Sequence, residues 1–266
     1  DFKVTSWDVL KPHFEALLER KIDSVEELKK WFLDRSELES VIAEDLAWRY
    51  IQMTCFTENE DYRKHYQDFI ENIQPQIAPV SDKLNKKAAD SPLLDALSKI
   101  QGYDIMIRSL RKEIEIFREE NVPLYTEINI ETQKYAQLNG AMMVEMEGKE
   151  LTLQQAAVFL MSTDRTKREE AYQRITERRL KDKDVLDELF SKLIDLRHRV
   201  AINAGFGNFR DYMFKSLGRF DYTPKDCFDF HEAIAHEVVP ILNEFSKERK
   251  SALKVKQLRP WDKAVD

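Results

Sequence analysis

The stretch YDIMIRSLRKEIEIF, residues 103–117, sets the character of this chain. Tyr103, Ile107, Leu110, Ile114 and Phe117 recur at three- and four-residue steps. That spacing lines apolar groups along one face of an α-helix. Arg108, Arg111, Lys112, Glu113 and Glu115 fill the positions between them. Such a helix must bury its apolar stripe against other elements, and the flanking sequence supplies more of the same kind.

Upstream, Ser91-Pro92 reads as a helix restart, with Ser as cap and Pro in the first turn, where its missing N–H costs nothing. Residues 60–90 keep a helical period through Tyr62, Tyr66, Phe69, Ile70 and Ile73. Pro75 or Pro79 should kink or break that helix. Trp7, Leu10, Phe14 and Leu17 predict a helix over 7–20. Ser24 with Glu27 forms a capping box that opens another, carrying Val25, Leu28, Trp31 and Phe32. A separate run over 38–56 follows.

Downstream, Asn121-Val122-Pro123 is read as the end of the 103–117 helix, and 124–139 as the next one. Met142–Met146, Glu147-Gly148 and Lys149–Leu153 predict a short β-hairpin around a two-residue turn. Thr152 with Gln155 caps a helix over 153–162. Asp164 or Thr166 caps a charged helix to about Leu180, and Asp184 caps the next. Gly205-Phe206-Gly207 terminates that helix, residues 208–217 form a short one, and Thr223-Pro224-Lys225-Asp226 starts the last.

Composition agrees with a mostly α, multi-helical fold. The 266 residues contain 6 Gly and 8 Pro, far fewer than the turns of a β-sandwich of this length demand. The chain carries 42 basic and 49 acidic residues, net charge -7, with signs alternating along most segments. No basic face is set aside for phosphates, so a nucleic-acid partner is not expected. No apolar run approaches the roughly 18 to 20 residues of a membrane span, so no membrane partner is expected either. The N-terminal residues lack the cationic start and apolar core of a signal peptide. The chain begins with Asp1, so a preceding segment is expected to have been removed. Cys55 and Cys227 read most simply as free thiols in a reducing, cytoplasmic setting, although spacing leaves one disulfide open.

His231-Glu232-Ala233-Ile234-Ala235-His236 invites comparison with a zinc helix. H-E-x-x-H places two histidines four apart, one turn, so that both reach one ion. Here they are five apart, roughly 140° around a regular helix. Only a π-bulge would bring them together, and such bulges are rare. They are therefore read as surface or packing residues. His13, His65 and His198 are scattered, and no Cys–His pair has ligand spacing. No catalytic, cofactor-binding or metal-ligating residue is assigned.

Several segments together resemble the oligoendopeptidase F family of zinc metallopeptidases, which are thimet-oligopeptidase-like. They are residues 193–199 (LIDLRHR), 204–212 (AGFGNFRDY), 217–223 (LGRFDYT), 238–240 (VVP from Val238 to Pro240) and 258–262 (LRPWD). Residues 148–153 (GKELTL), 164–171 (DRTKREEA) and 31–38 (WFLDRSEL) add to them. Their order along the chain carries the resemblance. It implies a two-lobed helical array, with residues 1–115 as a helical N-terminal lobe. Residues 116–183 would form a hairpin-containing subdomain, with its hairpin near 142–153, and 184–266 the beginning of the peptidase domain. It further implies an enclosed channel for short peptides and a zinc site lying downstream of residue 266, truncated here. This chain alone would then bind no zinc and hydrolyse nothing; its partners in the intact enzyme would be short peptides and the remainder of the peptidase domain. The rival reading is a stand-alone helical interaction module. A third is a metal-binding protein using His231 and His236. A truncated domain should leave apolar helix surface uncovered over 185–245.

Overall fold

The computed structural model describes residues 3–265. Helices dominate it: α1 (Trp7–Glu19), α2 (Val25–Cys55), α3 (Glu60–Asp68), α4 (Gln74–Ala89), α5 (Leu94–Leu97), α6 (Tyr103–Ile116) and α7 (Asn121–Gly140). Strands β1 (Met143–Met146) and β2 (Lys149–Thr152) follow. The rest is α8 (Leu153–Ala157), α9 (Arg165–Lys181), α10 (Lys183–Asn203), α11 (Phe209–Ser216), α12 (Pro224–Ala233) and α13 (Val239–Ala252). Two compact units emerge. One comprises the residues up to Thr132 with Leu193–Phe220; the other comprises Gln133–Lys192 with the residues from Asp221 onward.

In the first unit, Leu10, Phe14 and Leu17 of α1 pack with Leu28 and Trp31 of α2, Leu84 and Ala88 of α4, and Ile107 of α6. The 103–117 stripe thus buries as its spacing demands. Trp31 is fully buried, and its indole N–H donates to Leu17 O at 2.9 Å, so the largest core side chain leaves no polar atom stranded. Lys87 closes the open end of α1. Its ammonium donates to the carbonyls of Leu17 (3.0 Å), Leu18 (2.6 Å) and Arg20 (2.5 Å). A helix C-terminus leaves its last carbonyls without backbone partners, and Lys87, with the Trp31 indole on Leu17, supplies donors there. Burial and the neighbouring Arg20 charge push the Lys87 ammonium below its ordinary pKa.

A second cluster in this unit joins Leu124 of α7, Leu196, Val200 and Ala201 of α10, and Tyr212 of α11. Gly205, at φ +87°, ends α10. Phe206 N–H bonds Ala201 O and Gly205 N–H bonds Ile202 O, both at 2.9 Å, the paired closure that needs a left-handed residue at that position.

Several boundaries differ from the sequence reading. The runs over 25–32 and 38–56 are one 31-residue helix, α2. Ser24 Oγ accepts from Glu27 N–H, but the Glu27 carboxylate turns to Asp23 N–H, so the box is only half formed. Ser91-Pro92 leads only into the single turn of α5. α6 begins separately at Tyr103, behind Gly102 at φ +90°. Pro123 lies in the first turn of α7 rather than closing α6, where proline is tolerated because its missing donor is unused. Asp184 sits inside the first turn of α10, which starts at Lys183. Pro75 does perturb its helix. Residues Phe69–Ile73 form a π turn, with Gln74 N–H reaching back to Phe69 O. A proline ring clashes with the carbonyl four residues earlier, and the widened turn before Pro75 relieves that clash while α4 continues.

In the second unit, the hairpin pairs Met143 with Thr152 and Met146 with Lys149. Its turn residues Glu147 and Gly148 both have positive φ, 51° and 73°, as the tight two-residue turn requires. Met142, Val144 and Met146 pack on Leu153, Ala156, Ala171 and Ile175, so the hairpin lies on α8 and α9. Thr152 and Gln155 form the reciprocal capping box at α8. Asp164, not Thr166, caps α9.

Candidate functional site

The second unit's last segment, from Thr223 to Val265, holds both the unusual geometry and the uncovered surface. Thr223 and Asp226 cap α12 reciprocally. Asp226 Oδ2 accepts from Thr223 N–H at 2.7 Å, and hydrogen bonds from Thr223 hold that carboxyl below the usual carboxylate range. The helix then departs from α geometry. Ile234–Val238 form a π turn, Val239 N–H bonds Ile234 O, and α13 continues from there. Pro240 follows this turn by the same two residues that separate Pro75 from the first π turn.

The regular-helix spacing of the two histidines is therefore interrupted: His231 lies in the ordinary α12 and His236 inside the widened turn. The i→i+5 bond joins Val239 N–H to Ile234 O and does not span the interval from His231 to His236. Both rings are exposed, and His231 meets Phe228 edge-on, with ring centroids 6.4 Å apart. Among the described residues, no group of three or more His, Cys, Asp or Glu side chains is placed to hold a metal ion. A zinc site built from protein ligands takes three or four of them. The residues present do not fit one. His13, His65 and His198 are also exposed. Cys55 and Cys227 are both free thiols.

From α12 to α13, no residue is buried. Phe228, Phe230, Ile234, Val238, Val239, Ile241, Leu242 and Phe245 are each 36% to 64% exposed. These residues lie on more than one side of the helix. A helix apolar on several sides is ordinarily buried. Val185, Phe190 and Ile194 of α10 are exposed as well. Within 185–245 the apolar surface is thus uncovered on α12 and α13, whereas Leu189, Leu193, Leu196 and Val200 of α10 are buried.

Beyond α13 the chain is tied down firmly. Pro260–Asp262 form a 3-10 turn, and Asp262 is fully buried. Asp262 Oδ1 accepts from Arg165 Nε (3.0 Å) and Arg168 Nη2 (2.9 Å); Oδ2 accepts from Arg165 Nη2 and from Arg259 N–H, both at 2.9 Å. Arg168 also donates to the carbonyls of Trp261 (3.0 Å), Ser162 (2.8 Å) and Thr163 (3.2 Å). The Arg165 hydrogen bond, aided by Arg259 N–H and Arg168, outweighs burial and holds the Asp262 carboxyl far below the carboxylate range. Trp261 packs on Tyr172 with ring centroids 5.4 Å apart. In the sequence, 258–262 stood only among the segments that carry the family resemblance. The two arginines on α9 gave no local sign of a partner more than 90 residues away.

These features belong to a known architecture. Residues 1–117 match the Peptidase M3 N-terminal domain, and residues 158–264 match Peptidase family M3. The chain belongs to the M3 peptidase family. Its fold is that of a protein from Bacillus anthracis str. Ames assigned to oligoendopeptidase F, with TM-score 0.92 and 21% identity over 100% of this chain and 49% of that one. PZ peptidase A, solved with an inhibitor, superposes at TM-score 0.93 and 22% identity, over 100% of this chain and 47% of its own. Oligoendopeptidase F from Enterococcus faecium gives 0.73 and 15%, over 98% and 55%. At these identities the likeness carries the fold. The M3 chain described here spans about half the length of these structures. No curated protein matches it by sequence. No helix among the described residues is long and apolar enough to cross a membrane.

Proposed function

We propose that residues 1–266 are the non-catalytic front portion of a zinc-dependent oligopeptidase that hydrolyses short peptides in an enclosed channel. The uncovered apolar surface of α12 and α13 carries the reading. A helix with no buried residue is stable only when something else covers it, and the related structures are about twice as long as this chain. The remainder of the peptidase domain is the natural cover. The region from 184 onward would begin that domain, with the zinc ligands supplied by sequence beyond it. A reducing, cytoplasmic setting suits the two free thiols. The alternative is a helical interaction module, whose partner would cover the same phenylalanines.

The test uses purified residues 1–266, light scattering and a fluorogenic oligopeptide. The chain alone is expected to self-associate and to cleave nothing. Phe230→Ser with Phe245→Ser should reduce the association. Chelator-sensitive cleavage by residues 1–266, lost on His231→Ala or His236→Ala, would overturn the proposal.

A further inference from the structure

Residues 260–265 bond to two helices of the second unit at once. On one side, Trp261 O and the Asp262 carboxylate accept from guanidinium groups of α9, and the Trp261 ring lies on Tyr172 of the same helix. On the other side, Arg249 of α13 donates through Nη1 to Lys263 O (3.0 Å) and to Val265 O. Val265 is itself buried, 3% exposed, and lines a hollow with Phe245, Arg249 and Leu253. The turn is also closed within itself. Asp262 N–H bonds Arg259 O and Arg259 N–H bonds Asp262 Oδ2, both at 2.9 Å, and Pro260 fixes φ at its start. A short segment that is stiff internally and pinned on both sides carries position from one helix to the other.

α13 needs such a tie. None of its residues is buried. Its other side-chain bonds, Ser246 Oγ to Leu242 O and Lys247 Nζ to Glu244, stay within the helix. Arg249 is therefore the residue whose side-chain hydrogen bonds join α13 to the rest of its unit. The helix has 14 residues and spans about 21 Å, so a small tilt at the strapped end is a large displacement at the other.

We propose that residues 260–265 are a strap that fixes the direction of α13 relative to α9, with Arg249 as the tie on the α13 side. The strap's purpose, and that alone, rests on the reading above: a surface already held in its docked direction loses less conformational freedom when its cover arrives.

Double electron–electron resonance tests the strap without any peptidase activity. Spin labels go on Glu177→Cys of α9 and Asn243→Cys of α13, in a chain carrying Cys55→Ser and Cys227→Ser and diluted with unlabelled protein to suppress signals between copies. The labelled parent should give one narrow distance distribution. Arg249→Met should broaden it severalfold while hydrogen–deuterium exchange of the α9 amides stays unchanged. Lys250→Met, exposed and one position along, should leave it narrow. A broad distribution in the parent, an unchanged width in Arg249→Met, or equal broadening in Lys250→Met would overturn the proposal. So would broadening joined to faster α9 exchange, because the whole unit would then have loosened. Self-association and cleavage do not enter these widths, so the strap and the peptidase reading fail separately.

Discussion

Replacing Asp262 with Ala removes the anion that two α9 arginines converge on. Four hydrogen bonds to its carboxylate are lost together, three of them from guanidinium groups. The decisive consequence falls on Arg168, whose side chain is only 2% exposed. It would keep its carbonyl partners but lose its counter-charge in a site water does not reach. Breaking a buried pair by removing one partner costs about 3 to 5 kcal/mol, because an uncompensated charge stays behind. Arg165 is 41% exposed and can turn to solvent, so Arg165→Met should cost well under half as much. Hydrogen–deuterium exchange of the α9 backbone amides reads this unit directly. Asp262→Ala should speed exchange by roughly two to three and a half orders of magnitude, at 1.4 kcal/mol per tenfold. A change below about tenfold would place the pair with exposed ion pairs, worth roughly 0 to 1 kcal/mol, and would refute the reasoning.

Three further outcomes are expected. The Asp262 carboxyl is held far below its ordinary 3.8, so its contribution is intact above that value and lost as pH falls through the depressed folded-state pKa; circular dichroism during acid titration should show unfolding below about pH 4 that is shallower in Asp262→Ala. Lys87→Met keeps the aliphatic stem but strips the donor from Leu18 O and Arg20 O at the end of α1, while Leu17 O keeps the Trp31 indole; this should cost about 1 to 3 kcal/mol in urea unfolding, and an unchanged midpoint would contradict the capping role. Lys254 ends α13 at φ +51°, a left-handed conformation that costs a side-chain-bearing residue about 1 to 2 kcal/mol, so Lys254→Gly should raise the thermal midpoint by a few degrees, and a lower midpoint would argue against strain there.

Local chemistry was legible in the sequence because its causes are local. Thr152 with Gln155, Thr223 with Asp226, Asn208 and Gly205 each act within a few residues, and each stands where the capping rules place it. The continuity of α2 was missed because its middle is polar, yet 25–55 contains neither Gly nor Pro, and that absence was the available sign. The π turn at 234–238 had no sufficient signal. Pro240 follows it as Pro75 follows the turn at 69–73, but Pro12 of α1 and Pro79 of α4 sit inside regular helix, so a proline alone does not mark a widened turn. The Arg165–Asp262–Arg168 cluster was not legible. With 42 basic and 49 acidic residues, opposite charges far apart in sequence pair in too many ways for spacing to choose among them.

The bond between Arg168 and Asp262 spans 94 positions. A ribosome adding about 5 to 20 residues per second needs roughly 5 to 20 s to pass from one to the other. Throughout that interval the newborn α9 carries a guanidinium destined for the interior with no anion to meet it. The apolar cluster of hairpin, α8 and α9 can close before then, but the Arg168 site cannot be completed until the far end of the unit has left the exit tunnel. A holding chaperone or a translational pause would find its opportunity there.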